Sequence, residues 1–339
     1  MQRHVDACEA DARPRLPVVD VARGVALAAM IIYHFSWDLS FLGFVGVDVA
    51  THPAWRAFAM AIAGSFLFLV GCGLVLAHPG SIRWRPFARR LGAVAAAAAA
   101  ITAATLVIFP DSFIFFGILH MIAVGSVLAL PFLRAPPWLT IVAALAVLAL
   151  PRFIASPVFD SPWLSWTGFY ANAPLTNDFE PVFPWLAPVL LGVAAARIVL
   201  GSPLGSPLIG RLAALRARSR PARVLTAMGR RSLLIYLVHQ PLLLAVLFPL
   251  AWWFEPGQGR ARDGFVSACI SACTANGSEA ALCRSACPCA ADALERNGLA
   301  SVMSASRIRP DQRELMARVT RQCFSQNEEG AQQSPRASP

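Results

Sequence analysis

Four histidines stand in stretches that are otherwise apolar. His34 and Asp38 lie four residues apart in "MIIYHFSWDLSF", residues 30–41, so on a helix they share one face. His52 follows in "THPAW", His120 in "FFGILHM" and His239 in "IYLVHQP". Ionisable groups inside a membrane are costly and are kept where they bind, relay or react. Three chemistries use such a set. In acyl transfer an imidazole takes the proton from an attacking hydroxyl or amine while a carboxylate orients it. In haem ligation, histidines on facing helices hold iron. In proton-coupled transport, histidines and carboxylates form a relay. Depths counted along the spans put His34 near one end, His120 deeper and His239 toward the other end, a poor match for paired haem ligands. No internal repeat or Gly/Pro-broken helix pair supports a transporter.

The elements that must hold these residues are membrane helices. Of 339 residues, 57% are hydrophobic and 14% charged, with mean hydropathy +0.57. A soluble domain carries about a quarter charged residues. Seven apolar segments are long enough to cross a bilayer: 17–37, 54–77, 91–109, 113–133, 137–153, 182–200 and 231–254. The first begins near Leu16 and lacks a cleavage site, so it reads as a retained span.

The net charge of +10 is all arginine, and no lysine occurs. Arg3, Arg13, Arg15, Arg83, Arg85, Arg89, Arg90 and Arg134 fall at one set of ends, with a further cluster from Arg211 to Arg231. The positive-inside rule makes those ends, and the N-terminus, cytoplasmic. The excess charge then reflects membrane topology and not a nucleic-acid surface. Seven crossings place the C-terminal tail outside.

That tail is polar and holds six of the eight cysteines. Cys269 and Cys273 form one C-x3-C pair and Cys283 and Cys287 another; Cys289 and Cys323 follow. Each pair lies one turn apart on a helix, so two such helices can be stapled into a hairpin. A metal site is the rival reading, but the tail has no histidine, and the spacing is looser than a zinc knuckle. The domain plan is a cytoplasmic segment 1–16, a membrane domain 17–254, a Cys-rich extracytoplasmic tail 255–326 and a disordered end 327–339. The fold expected is all-α, polytopic, with about seven transmembrane helices and a helical tail.

Four segments in order, "LPVVDVARGVALAAMIIYHFSWDL", "FFGILHMIAVG", "DFEPVFPWLAPVLLG" and "GRRSLLIYLVHQP", resemble the heparan-alpha-glucosaminide N-acetyltransferase catalytic-domain family, in particular its small bacterial members. The resemblance covers residues 15 to about 250. It implies a polytopic inner-membrane acyltransferase, N-terminus cytoplasmic and tail periplasmic. Such an enzyme takes an acetyl group from cytosolic acetyl-CoA, as co-substrate, and delivers it to a sugar or envelope glycan on the far side. It casts His52, with Trp55 following, as the match to the family's catalytic histidine. It aligns His34 with an asparagine, His120 with a glutamine and His239 with a histidine of the last helix. The family's sugar-transferring members have more helices, so a homodimer would complete the cavity here.

Read on the residues, the catalytic candidates are His52, His34 and Asp38. Arg23, Arg230 and Arg231 offer positive charge to the donor's phosphates. Trp37, Trp185 or His120 could donate to an oxyanion. Asp178 and Glu180, in "NDFEPVFPWLAP", could bind a sugar's hydroxyls, and Trp185 suits membrane anchoring. His239 completes the list. No resident metal is expected. The alternatives are a membrane transporter or scaffold for the tail, and a histidine-ligated haem electron carrier.

Overall fold

The computed structural model describes residues 16–203, 207, 211, 219–254, 256, 258–299, 303 and 310–333. The positions Arg3, Arg13, Arg15, Arg216 and Arg218 lie outside that set. Among the described residues the chain is helical without named strands, and it divides into two compact units: residues 1–35 with 49–243, and residues 36–48 with 244–339.

The first unit is built from α1 (Pro17–Phe41), α2 (Pro53–Ala77), α3 (Trp84–Ile108), α4 (Ile118–Leu128), α5 (Pro137–Ala149), α6 (Val182–Gly201), α7 (Arg220–Arg230) and α8 (Ser232–Phe254), α1 and α8 each continuing into the second unit. Proline opens α1, α2 and α5, where its missing N–H would be unpaired in any case. Six helices, those of α1, α2, α3, α5 with its extension to Ile154, α6 and α8, are long and apolar enough to span a membrane. The fourth crossing is shorter than the sequence suggests. Over 113–133 only Ile118–Leu128 is α-helical, continued by a 3₁₀ turn at Leu130–Leu133. Pro131 takes the N–H away from the helix at that point, and residues 113–117 are drawn into loop pairing.

α6 is the hub of this unit, packed against α2, α5 and α4. Its Val189, Leu190 and Val193 are almost completely buried with Leu67, Val70 and Leu74 of α2. Lipid is as apolar as these side chains, so close packing and not water exclusion holds the helices together. Glycine makes that possible at the α2–α6 crossing. A Cβ on Gly71 would collide with the Val189 carbonyl, and one on Gly192 with the Phe68 carbonyl. Cys72 adds a weak hydrogen bond, its Sγ–H donating to Gly192 O at 3.4 Å.

A similar crossing joins α1 to α7. Gly24 lies against the Leu225 backbone and Gly229 against the Asp20 carbonyl. α7 is amphipathic, capped by Ser219, whose hydroxyl accepts from Ala222 N at 3.3 Å. Asp20, 9% exposed, is the polar tie: its carboxylate lies 3.8 Å from Arg23 and 3.4 Å from Arg230.

At the end opposite the arginines, two loops pair. Glu180 N donates to Phe116 O and Asn177 N to Ser112 O, and the Thr176 hydroxyl donates to Phe113 O. The 155–181 loop is fixed internally by Asp160, which accepts from the backbones of Ala171 and Asn172 and from the Asn172 amide. The Asn172 N–H first, then its side-chain amide, hold the Asp160 carboxyl below its ordinary value. Gly168 closes the loop in the left-handed region, φ +100°, against the Phe183 carbonyl, where no side chain fits.

The second unit contains the far end of α1 with the following loop, the end of α8, and three tail helices: α9 (Gln258–Ala275), α10 (Ala280–Arg296) and α11 (Pro310–Gln333). α10 is its centre, with Cys283, Ala286, Cys287, Ala290, Ala291 and Leu294 fully buried. Such small side chains make a thin core, and disulfides supplement it. They join Cys269 to Cys287, Cys273 to Cys283, and Cys289 to Cys323. The first two staple α9 to α10 as an antiparallel hairpin, and the third ties α11 to α10. Arg262 adds an ion pair to Asp292 at 2.6 Å. α11 runs to Gln333. Residues 334–339 lie outside the described set. Non-reducing peptide mapping of the purified protein is expected to return these three pairs out of the fifteen that six cysteines allow. Any linkage joining Cys269 to Cys273 within α9 contradicts this arrangement.

Candidate functional site

The site is assembled around Tyr236, three residues before His239 on α8. Tyr236 packs on one side against Leu27, Met30 and Ile62 of α1 and α2, and on the other against Val94, Ala98 and Leu119 of α3 and α4. It is therefore a wedge between the two helix pairs. Its ring centroid lies 5.7 Å from that of His239, and the His239 ring lies 5.0 Å from that of His34 on α1. Tyr33 flanks His34 at 5.6 Å and links it to Trp55 of α2 at 6.2 Å.

His34 and His239 are thus at one depth, not near opposite ends as residue counting suggests. α7 runs beside the first turns of α1, with Gly229 against the Asp20 carbonyl, so the first turn of α8 is already level with Leu27 and Met30. The two rings, 5.0 Å apart and tilted by 59°, leave no slot between them for a macrocycle.

Hydrogen bonding assigns the tautomer of His239. Its Nδ1 lies 2.6 Å from the Tyr236 carbonyl oxygen, which can only accept, so Nδ1 carries the proton. Nε2 is then a bare lone pair. It is shut off from solvent and has no hydrogen-bond partner among the described residues. His239 as a whole is 8% exposed. An imidazole fixed by its carbonyl bond, with its other nitrogen free, has the form of a general base.

His120 is arranged differently. Gly117 N–H donates to its Nδ1 at 3.2 Å, so Nε2 carries the proton and donates to Thr102 Oγ1 at 3.3 Å. The Thr102 hydroxyl in turn donates to Ile114 O at 2.7 Å. Both ring nitrogens are engaged, so His120 braces the start of α4 against α3.

Asp178 sits at the N-terminus of α4. Its Oδ2 accepts from Ile118 N at 3.0 Å and fills the space a side chain on Gly117 would need. A carboxylate at a helix N-terminus is favourably placed. Glu180, two residues on, has no such support, and its Oε2 is buried without a partner among the described residues. Desolvation first, and the neighbouring Asp178 charge second, push its carboxyl up to about 9. Desolvation also raises Asp178, opposed by the Ile118 N–H. Of the two, Glu180 holds the proton, because Asp178 alone has a backbone donor. Tyr170 lines the same place; burial first and Glu180 second raise its phenol.

At the arginine-rich end, Arg23 of α1 and Arg90 of α3 converge on α2. A methyl group on Gly73 would lie 2.8 Å from Arg23 Nη2 and 3.8 Å from Arg90 Nη1.

The remaining candidates have other surroundings. His52 is the exposed N-cap residue of α2, with no side-chain capping bond. Asp38 is completely buried, one turn beyond His34 on the same helix, within the second unit. Trp37 stacks on Phe41 there at 5.0 Å. Trp185 packs partly buried against the α6 core. Arg230 is engaged by Asp20, and Arg231 is an exposed residue between α7 and α8. Sequence reasoning did not single out Tyr236, Thr102 or Arg90. The i, i+3 spacing of Tyr236 to His239, and a lone threonine pair in an alanine-rich helix, were the available signals.

Residues 15–241 match the family model described as heparan-alpha-glucosaminide N-acetyltransferase, catalytic. No curated protein and no solved structure matches the chain.

Proposed function

Since the chain belongs to the heparan-alpha-glucosaminide N-acetyltransferase catalytic-domain family, a family of transmembrane acetyltransferases, we propose that it moves an acetyl group from acyl-CoA to an extracytoplasmic sugar or envelope glycan. The observation that carries this reading is the His34–His239 pair, with His239 buried and its Nε2 lone pair free. The acceptor's hydroxyl or amine attacks the thioester carbonyl while an imidazole of the pair takes its proton. The tetrahedral intermediate collapses by breaking the C–S bond, and the departing CoA thiolate takes the proton back from the imidazolium. Acceptor entry belongs to the Asp178–Glu180 end, and donor entry to the arginine-rich end.

Topology fits the same scheme. The arginine-rich ends would be cytoplasmic, in a bacterial inner membrane, and the tail periplasmic, where disulfides persist. His52 stays a catalytic proposal through the family's pattern, at the acceptor face, and Asp38 would orient the histidine stripe. A homodimer, with lipid around it, would complete the cavity.

The test is transfer of labelled acetyl from acetyl-CoA to a panel of amino sugars and sugar alcohols by the protein in proteoliposomes. Label appearing in an acceptor supplied only to the lumen of inverted vesicles supports the reading. Folded protein that labels no acceptor in either orientation sinks it.

A further inference from the structure

We propose that Arg23 and Arg90 form a docking site for phosphate groups, and that the cavity beside Arg90 takes the organic part of the same phosphate ester. This rests on the reading above and names the residues that would hold its donor.

Three observations converge. The two guanidiniums meet over Gly73 of α2, which has no side chain to keep them apart. Their charge is not balanced locally. Asp20 is 3.8 Å from Arg23 but is shared with Arg230 at 3.4 Å, and Arg90 faces no carboxylate within ion-pair distance among the described residues. Two like charges held together and only partly neutralised are unfavourable until an anion joins them. Two planar donor forks meeting at a point suit a tetrahedral phosphate better than a single carboxylate, since they can engage different oxygens.

The third observation is the cavity. A space of about 120 Å³ opens between α2, α3 and α4, with Arg90, His78 and Ser126 on its wall among apolar residues that include Leu74, Leu91 and Ile122. His78 has the same arrangement as His239: Nδ1–H donates to Leu74 O at 2.8 Å, leaving Nε2 buried and without a partner among the described residues. A guanidinium in the lining, an apolar wall and one free acceptor describe a site for a phosphate ester with a polar organic arm, not for an inorganic anion alone.

Calorimetry on the full-length protein in detergent tests this with CoA, phosphate-free pantetheine, inorganic pyrophosphate and phosphatidylglycerol micelles as probes. CoA is expected to bind and pyrophosphate to compete with it, while pantetheine binds weakly. Arg90→Gln should weaken CoA binding on the order of 10- to 100-fold, the loss of a charge-assisted contact. Arg90→Lys should fall between, and Arg89→Gln, on the neighbouring arginine outside the cavity lining, should match the unaltered protein. Size-exclusion profiles check that each variant is folded. Wild-type affinity in folded Arg90→Gln overturns the site while leaving acetyl transfer standing. Pyrophosphate binding that Arg90→Gln abolishes, with no binding of CoA, keeps the anion site and overturns the donor assignment. Displacement by phosphatidylglycerol in a protein that ignores CoA does the same in favour of a lipid headgroup.

Discussion

Replacing His239 by glutamine is expected to lower acetyl transfer by roughly 10²- to 10⁴-fold, the range for removing a positioned general base, while leaving donor affinity unchanged. Glutamine keeps a donor for the Tyr236 carbonyl and approximate volume, so α8 should stay in register; only the basic lone pair is lost. His34→Gln removes the partner ring 5.0 Å away. If the two imidazoles act as one unit, the double variant is no slower than the slower single one, because residues of a shared catalytic group are strongly non-additive. Additive losses would instead mean that the two rings serve separate steps. The measurement is kcat for labelled-acetyl transfer, with the donor Kd from calorimetry on each variant. His52→Ala belongs in the same series. A loss as large as that of His239→Gln would move the base to the exposed α2 N-cap, and wild-type rates in His239→Gln would remove it from α8.

The sequence was legible where one residue type carries one physical meaning. Long apolar runs bounded by arginine mark helices because a bilayer leaves the backbone no other partner. The C-x3-C pairs mark a stapled hairpin because a turn of helix brings both sulfurs to one face. Opposite behaviour is seen at Ile118–Leu128, where a run that reads as a full span is cut short. Ser112, Phe113 and Phe116 give their carbonyls to the 176–180 loop, Phe113 to a residue 63 positions further along the chain. His34 and His239 were both legible as candidates, but not as neighbours. Their contact follows from where α8 runs along α1, with Tyr236 beside Leu27 and Met30, which no periodicity records. Arg90 carried two meanings, topology signal and ligand, and only its convergence with Arg23 separates them. Glu180 was visible as a loop carboxylate. What sets it apart from Asp178 is one backbone N–H, that of Ile118, which points at one carboxylate and not the other.

That difference gives Glu180 a stability signature. Its carboxyl is raised from an ordinary 4.5 to about 9. Between those values the folded protein holds a proton that the unfolded chain has released. Stability therefore falls as pH rises through this window, and the decline stops once the folded group also ionises. Melting in detergent, followed by circular dichroism from pH 5 to pH 9, is expected to show the midpoint dropping steadily for the unaltered protein. Glu180→Gln mimics the protonated acid in shape and charge and should hold its midpoint over the same range, crossing above the unaltered protein near neutrality. Parallel curves for the two proteins would mean that Glu180 is ionised in the fold and partnered. Activity should separate from stability in the same pair. Ionised Glu180 places a second negative charge beside Asp178 in the loop that precedes α6. Transfer by the unaltered protein should then change through a step near pH 9 that Glu180→Gln lacks. If the step survives the substitution, it belongs to another group.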